Sequence, residues 1–264
     1  ALSGHRPSLP HGRRVRRAFI APPGHTLLAV DYSQVELRIL AHYSQDEALL
    51  DAFRRGEDIH RATAAAVYHV PLDQVTYEQR SFAKSVNFGL MYGMGAFRLA
   101  RDSDLTLAEA EDFITTYFER FPGVRKYLDR SRALAAEQGY LETLLGRRRY
   151  FPELDATKGR QPSFQARQRA EREAINMPIQ GTAADIIKIA MIDLHRALAE
   201  HDNGAQMILQ VHDELVLEVP EAAIDRVAPL VVEVMESAFT LDAPLVADAR
   251  VGQNWAEMRE WGKK

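Results

Sequence analysis

Over residues 26–32 (TLLAVDY), just after Pro22-Pro23-Gly24, apolar positions follow one another almost without a break. That pattern predicts a short buried strand. Over 35–43 the spacing becomes helical, with Leu37, Leu40 and Ala41 on one side. Helical spacing predicts further helices at 46–54, 60–68 and 76–92, the last ended by Gly93-Met94-Gly95. Two more are expected at 106–119 and 122–138, then a hairpin over 140–150 turning near Gly146. A long helical region follows, broken at Asn176-Met177-Pro178 and resuming over 181–199. Strand-like runs at 207–211 and 215–219 are separated only by His212-Asp213-Glu214, which makes a tight hairpin with a polar tip. A helix over 221–239 and a strand over 246–251 complete the pattern. Strands sit near both ends and helices between them. The expected class is therefore α+β, a small antiparallel sheet interrupted by a large helical insertion.

Composition narrows the function classes. No apolar stretch approaches the ~20 residues of a membrane span, and residues 1–10 lack the apolar core of a secretory signal. Ala1 stands where an initiating Met would, which suits a piece of a longer protein. There is no Cys, so any metal must be held by oxygen or His ligands, and a cytoplasmic location fits. The net charge of −4 argues weakly against a nucleic-acid partner, but the basic residues are clustered. Arg13, Arg14, Arg16 and Arg17 form one run, Arg147, Arg148 and Arg149 a second, and Arg160, Arg167, Arg169 and Arg172 a looser third. Each is either solvated surface or a phosphate contact.

Three segments carry candidate chemistry. In Asp31-Tyr32-Ser33-Gln34-Val35-Glu36, an aspartate closes a buried strand. It is either a helix cap or a metal ligand. Arg80, Lys84, Phe88 and Tyr92 recur every four residues and form one stripe on a helix. The stripe is either an amphipathic boundary or a bed for a nucleoside triphosphate, cations to the phosphates and rings to sugar and base. Asp213 and Glu214 are adjacent carboxylates at a hairpin tip, either a solvated turn or a site for a hard cation such as Mg2+. Asp31 and Asp213 brought together in one sheet would give a two-metal centre for phosphoryl transfer.

In this order the three segments resemble motifs A, B and C of the family A DNA polymerases. Gly56-Glu57-Asp58-Ile59-His60, Phe121-Pro122, Gly146 with Arg147, Arg148, Arg149 and Tyr150, and the run from Asn176 to Asp185 are similar to the same family. The resemblance extends from about Gly12 onward. It implies a palm (1–45 and 171–264) interrupted by fingers (46–170), in a right-hand polymerase fold without the thumb. It implies template-directed DNA synthesis on a primer–template, with dNTPs as substrates and two Mg2+ ions that Mn2+ can replace. Asp31, Asp213 and the Tyr32 carbonyl resemble the metal ligands, and Glu214 the accessory carboxylate. Arg80, Lys84 and His60 resemble the triphosphate contacts, with Lys84 a candidate general acid. Gln34, Phe88 and Tyr92 resemble further dNTP-site residues, and Glu36 the residue that excludes a ribose 2′-hydroxyl. Phe88, in place of Tyr, implies discrimination against dideoxynucleotides. Arg172, Asn176, Gln180 and His212 resemble residues lining the primer–template. The implied state is a monomer.

Residues 1–10 depart from the family's approach to motif A, and the segment 155–168 is slightly long. Two alternatives stand beside the DNA polymerase reading. One is a single-subunit RNA polymerase-like enzyme, which Glu36 argues against. The other is a non-catalytic nucleic-acid-binding fragment, which the intact Asp31, Asp213, Arg80 and Lys84 argue against.

Overall fold

The computed structural model describes residues 10–103, 105–155, 163–201 and 204–262. Of the departures expected at 1–10 and 155–168, residues 1–9 and 156–162, with Arg160, lie outside these residues. The chain divides into two compact units, Ala1–Val35 with Ala183–Lys264, and Glu36–Thr182.

In the first unit the run at 26–32 forms β1 (His25–Tyr32), whose Leu27, Leu28, Ala29 and Val30 are buried. Burying each such branched side chain contributes about 1.5–3 kcal/mol, which makes this strand the natural centre of a sheet. The predicted hairpin is β4 (Gln206–Val211) and β5 (Glu214–Pro220), and the predicted last strand is β6 (Ala247–Gly252). A short β7 (Arg259–Glu260), which no apolar pattern announced, closes an antiparallel sheet of order β4-β5-β1-β6-β7. Residues 221–239 form a short 3₁₀ turn and then α10 (Ile224–Ser237), packed against β1, β5 and β6. The first basic run lies on α1 (Pro10–Arg17).

Alternation separates the two faces of β1. Leu27 and Ala29 pack with Val216 and Trp255 on the face that also carries Asp31. Tyr32 faces the other way, and its hydroxyl donates to the Met235 carbonyl of α10 at 2.6 Å.

The second unit is helical: α2 (Val35–Ser44), α3 (Glu47–Arg54), α4 (Ile59–Tyr68), α5 (Tyr77–Met91), α6 (Ala96–Arg101), α7 (Leu107–Arg120) and α8 (Pro122–Gln138). Only α6 is absent from the sequence pattern. A capping box of Thr76 and Gln79 starts α5, and another of Thr106 and Glu109 starts α7. The hairpin β2 (Tyr140–Glu142) and β3 (Arg148–Tyr150) follows, turning through Gly146 at φ 80°.

One expectation is corrected. The helical region is not broken at Asn176-Met177-Pro178 but runs continuously as α9 (Phe164–His201), with Pro178 inside it. A mid-helix proline costs about 3 kcal/mol. Here Ala174, Ile175, Met177 and Ile179 are all buried, and the Tyr127 hydroxyl donates to the Ile175 carbonyl at 3.1 Å. Packing and a side-chain donor beside the lost backbone bond outweigh the penalty. No helix among the described residues is long and apolar enough to cross a membrane.

Candidate active site

Antiparallel register sets the first cluster. Asp31 stands opposite Glu214 of β5 on one side and opposite Asp248 of β6 on the other. The β4–β5 turn consists of His212 and Asp213 alone, with His212 at φ 57°. The Tyr32 amide donates to the Asp213 carbonyl at 3.2 Å, tying that turn to the end of β1. The chain then leaves the sheet through Ser33, whose amide donates to Val246, and Gln34, at φ 55°.

The Asp31 and Asp213 carboxyls are close enough for each to feel the other. Burial, then the charges of Asp213 and Glu214, push Asp31 up to about 7, although the Arg250 guanidinium pulls it down. Burial likewise pushes Asp213 up, against the pull of its own backbone amide. Two carboxyls so placed cannot both ionise cheaply without a cation. Asp31 Oδ1 is buried with no hydrogen-bond partner, as is Gln34 Oε1. An orphaned carboxylate oxygen beside a second carboxylate is a donor set suited to a hard divalent ion. No group of three or more His, Asp or Glu side chains among the described residues is arranged to hold a metal. A metal here would draw on the aspartate pair and backbone or solvent oxygens. Tyr32 is held by its hydroxyl to α10, so its contribution would be its backbone carbonyl.

Glu214 is placed differently from a tip residue. It begins β5, is 5% exposed, and its Oε1 accepts from Arg250 at 2.9 Å and Trp255 at 3.3 Å. The Asp213–Glu214 repulsion is thus relieved in part by protein donors, which the adjacency of the two acids did not reveal.

The second cluster is built on α5. Arg80 Nε donates to Asp58 Oδ2 at 2.5 Å, and Asp58 also caps α4 by accepting from the His60 and Arg61 amides. Arg80 is therefore already paired, while Lys84, among the described residues, forms no ion pair. His60 is 1% exposed, its Nδ1 lies 3.0 Å from the Asn87 amide nitrogen, and its ring is 5.9 Å from Phe88. Asn87 Oδ1 in turn accepts from Thr63 at 3.1 Å. Burial pushes His60 down to about 4; Asp58 opposes this, and Lys84 and Arg80 reinforce it. His60 is a neutral imidazole at neutral pH. Tyr92, the residue after α5, donates its hydroxyl to Glu36 Oε2. Asp58 and Asn87 were missed as partners; a buried Asn within an apolar stretch of helix was the available signal.

Arg172, Asn176 and Gln180 are spaced by four on α9 and share a face, with Arg172 and Gln180 exposed and Asn176 Oδ1 buried without a partner. His212 is exposed at its turn. The second basic run has internal partners: Arg148 with Glu142 at 2.5 Å, Arg149 with Glu173 at 2.5 Å, and Arg147 donating to the Gly181 carbonyl at 2.9 Å.

Residues 7–257 match the family model described as DNA polymerase family A. The chain is 54% identical over 246 residues to DNA polymerase I of Pseudomonas aeruginosa, covering 93% of this chain and 26% of that protein. It is 48% identical over 251 residues to the thermostable DNA polymerase I of Thermus aquaticus, covering 95% and 29%. Among solved structures it is similar to the POL domain of Pol1 from M. smegmatis in complex with DNA primer-template and dNTP. That match has TM-score 0.88 at 44% identity, over 94% of this chain and 43% of that one. The chain spans under a third of the curated relatives it matches.

Proposed function

This chain belongs to DNA polymerase family A, and from that premise we propose that it carries the nucleotidyl-transfer centre of a DNA-directed DNA polymerase, adding deoxynucleoside monophosphates from dNTPs to a primer 3′-hydroxyl on a template. The observation that carries the proposal is the half-buried pair Asp31 and Asp213, at the end of β1 and in the β4–β5 turn tied to it, with Asp31 Oδ1 left without a hydrogen-bond partner.

Each residue has a role in this reading. Asp31, Asp213 and the Tyr32 carbonyl hold two divalent cations, Mg2+ or, in substitution, Mn2+. When bound, these supply Lewis-acid charge at the attacking hydroxyl and at the triphosphate. Arg80 and Lys84 bind phosphate oxygens, and Lys84 delivers a proton to the departing pyrophosphate. His60 contributes a neutral ring to the same group of residues. Phe88 packs against the sugar, Gln34 and Tyr92 shape the nucleotide site, and Glu36 excludes a 2′-hydroxyl. Glu214 is the accessory carboxylate. Arg172, Asn176, Gln180 and His212 contact primer–template. The palm is assigned to 1–45 and 171–264 and the fingers to 46–170, acting as a monomer in the cytoplasm.

Primer extension with Mg2+ tests the reading. Asp31→Asn and Asp213→Asn should each lower the extension rate by about a thousandfold or more, with thermal unfolding and duplex affinity retained. Extension that persists in either variant would overturn the assignment.

A further inference from the structure

The Glu214 carboxylate on the acidic face is taken up by side-chain donors of the protein. Arg250 Nη2 donates to Oε1 at 2.9 Å and Trp255 Nε1 donates to the same oxygen at 3.3 Å. Arg16 Nη1 stands 3.8 Å from Oε2, and its guanidinium lies over the Trp255 ring at 4.3 Å. The edge of the Phe19 ring packs on that indole, 5.6 Å between centroids. The indole is thereby held with its N–H aimed at Glu214.

Sheet register puts this assembly beside the metal candidates. Glu214 and Asp248 flank Asp31 from β5 and β6, and cross-strand partners share a face. Arg250 lies two residues beyond Asp248 on β6, opposite Ala29, so it projects from that same face. One row thus holds three carboxylates from three strands, and Arg250 is the cation the sheet itself supplies to it.

We propose that Arg250 is a positioning residue of the acidic centre: together with Trp255 it holds the Glu214 carboxylate back from joining Asp31 and Asp213 as a ligand to a divalent cation. The inference rests on the metal-binding reading of those two aspartates. Its physical basis is that a carboxylate 5% exposed must keep its donors, because an unpaired buried charge costs several kcal/mol. With Arg250 in place, leaving for a metal would strand both partners. Without it, Glu214 is a mobile anion beside two others, and divalent-cation affinity rises with the number of charged oxygen ligands. Arg250 therefore keeps metal binding weak enough for ions to exchange with each nucleotide.

Mn2+ binding by the whole chain, read by electron paramagnetic resonance of free Mn2+ without DNA or nucleotide, tests this apart from activity. Arg250→Gln should tighten Mn2+ binding by about five- to tenfold. Trp255→Phe keeps the ring, removes the second donor and should give a smaller change in the same direction. Arg250→Lys should stay within about twofold of the native value, and Arg250→Gln with Glu214→Gln should return to it. If Arg250→Gln leaves the affinity unchanged, or the gain persists once Glu214 is Gln, positioning is refuted and the second result reduces Arg250 to a simple repelling charge. Mn2+ binding that ignores Asp31→Asn and Asp213→Asn alike would remove the metal reading itself, and this inference with it.

Discussion

The Tyr92 hydroxyl donates to Glu36 Oε2, so the residue at the end of α5 and the residue at the start of α2 form one hydrogen-bonded unit. Sequence reasoning gave the two separate tasks. Their pairing makes Tyr92 a restraint on the carboxylate proposed to exclude a ribose hydroxyl. Tyr92→Phe should therefore lower the preference for dNTP over rNTP, by about tenfold if one charged hydrogen bond is lost. Glu36→Ala should lower it further, and combining the two should add little. Single-nucleotide incorporation rates check this; a Tyr92→Phe enzyme with native sugar selectivity would separate the roles again.

Arg80, the proposed triphosphate ligand, has its Nε engaged by Asp58, which would compete with a phosphate for the guanidinium. Asp58→Asn keeps an acceptor for the amides of His60 and Arg61, since Asn caps helices as well as Asp. It removes the charge that competes for Arg80. The half-exposed ion pair itself contributes at most about 1 kcal/mol. Expected are a dNTP KM lowered several-fold, kcat within about twofold, and a urea midpoint close to native. A raised KM would mean that Asp58 aligns Arg80 instead of competing for it.

His60 is held down to about 4, below its ordinary 6.5, by burial above all. A depressed histidine contributes nothing unfavourable while both states are neutral, above pH 6.5. Between 6.5 and 4 the unfolded chain takes up the proton and the folded chain does not, so stability falls with falling pH. The full loss is on the order of 3 kcal/mol. His60→Gln should be less stable than native near pH 7.5, and the gap should narrow towards pH 4.5. Parallel urea titrations at both pH values measure it; a gap independent of pH would place the depressed titration elsewhere.

Phe88 packs near His60 with no hydroxyl of its own. Phe88→Tyr should relax discrimination against dideoxynucleotides by a hundredfold or so, read as earlier chain termination in primer extension. Unchanged terminator sensitivity would remove Phe88 from sugar recognition.

Periodicity and punctuation carried most of the elements. Residues 122–138 became α8 at both predicted ends, because Phe121-Pro122 starts it and Gly139 ends it in the left-handed conformation. Three elements were invisible for physical reasons. α1 and β7 bear charged residues with almost no apolar face to read, and α6 is a six-residue helix. Pro178 misled because local propensity points to a break, whereas Tyr127 and the buried residues around it come from distant sequence. At the acidic centre the residue types were legible, but their division of labour was not. Arg250 and Trp255 reach Glu214 only through strand pairing, which no spacing along the chain encodes.

The two-sidedness of β1 bears on how this protein can be altered. Asp31 and Tyr32 are neighbours that serve opposite faces of the same central strand, one towards the carboxylates and the other anchored on α10. Inserting or deleting a single residue within β1 would exchange them, setting a phenol among the acids and a carboxylate against the helix. Pairing on both edges leaves no neighbouring strand free to absorb the shift. Length variation must then fall elsewhere, as at Gly146, where the hairpin turn meets open space. The strand that carries the first aspartate is, in effect, a ruler that tolerates new letters but no change of length.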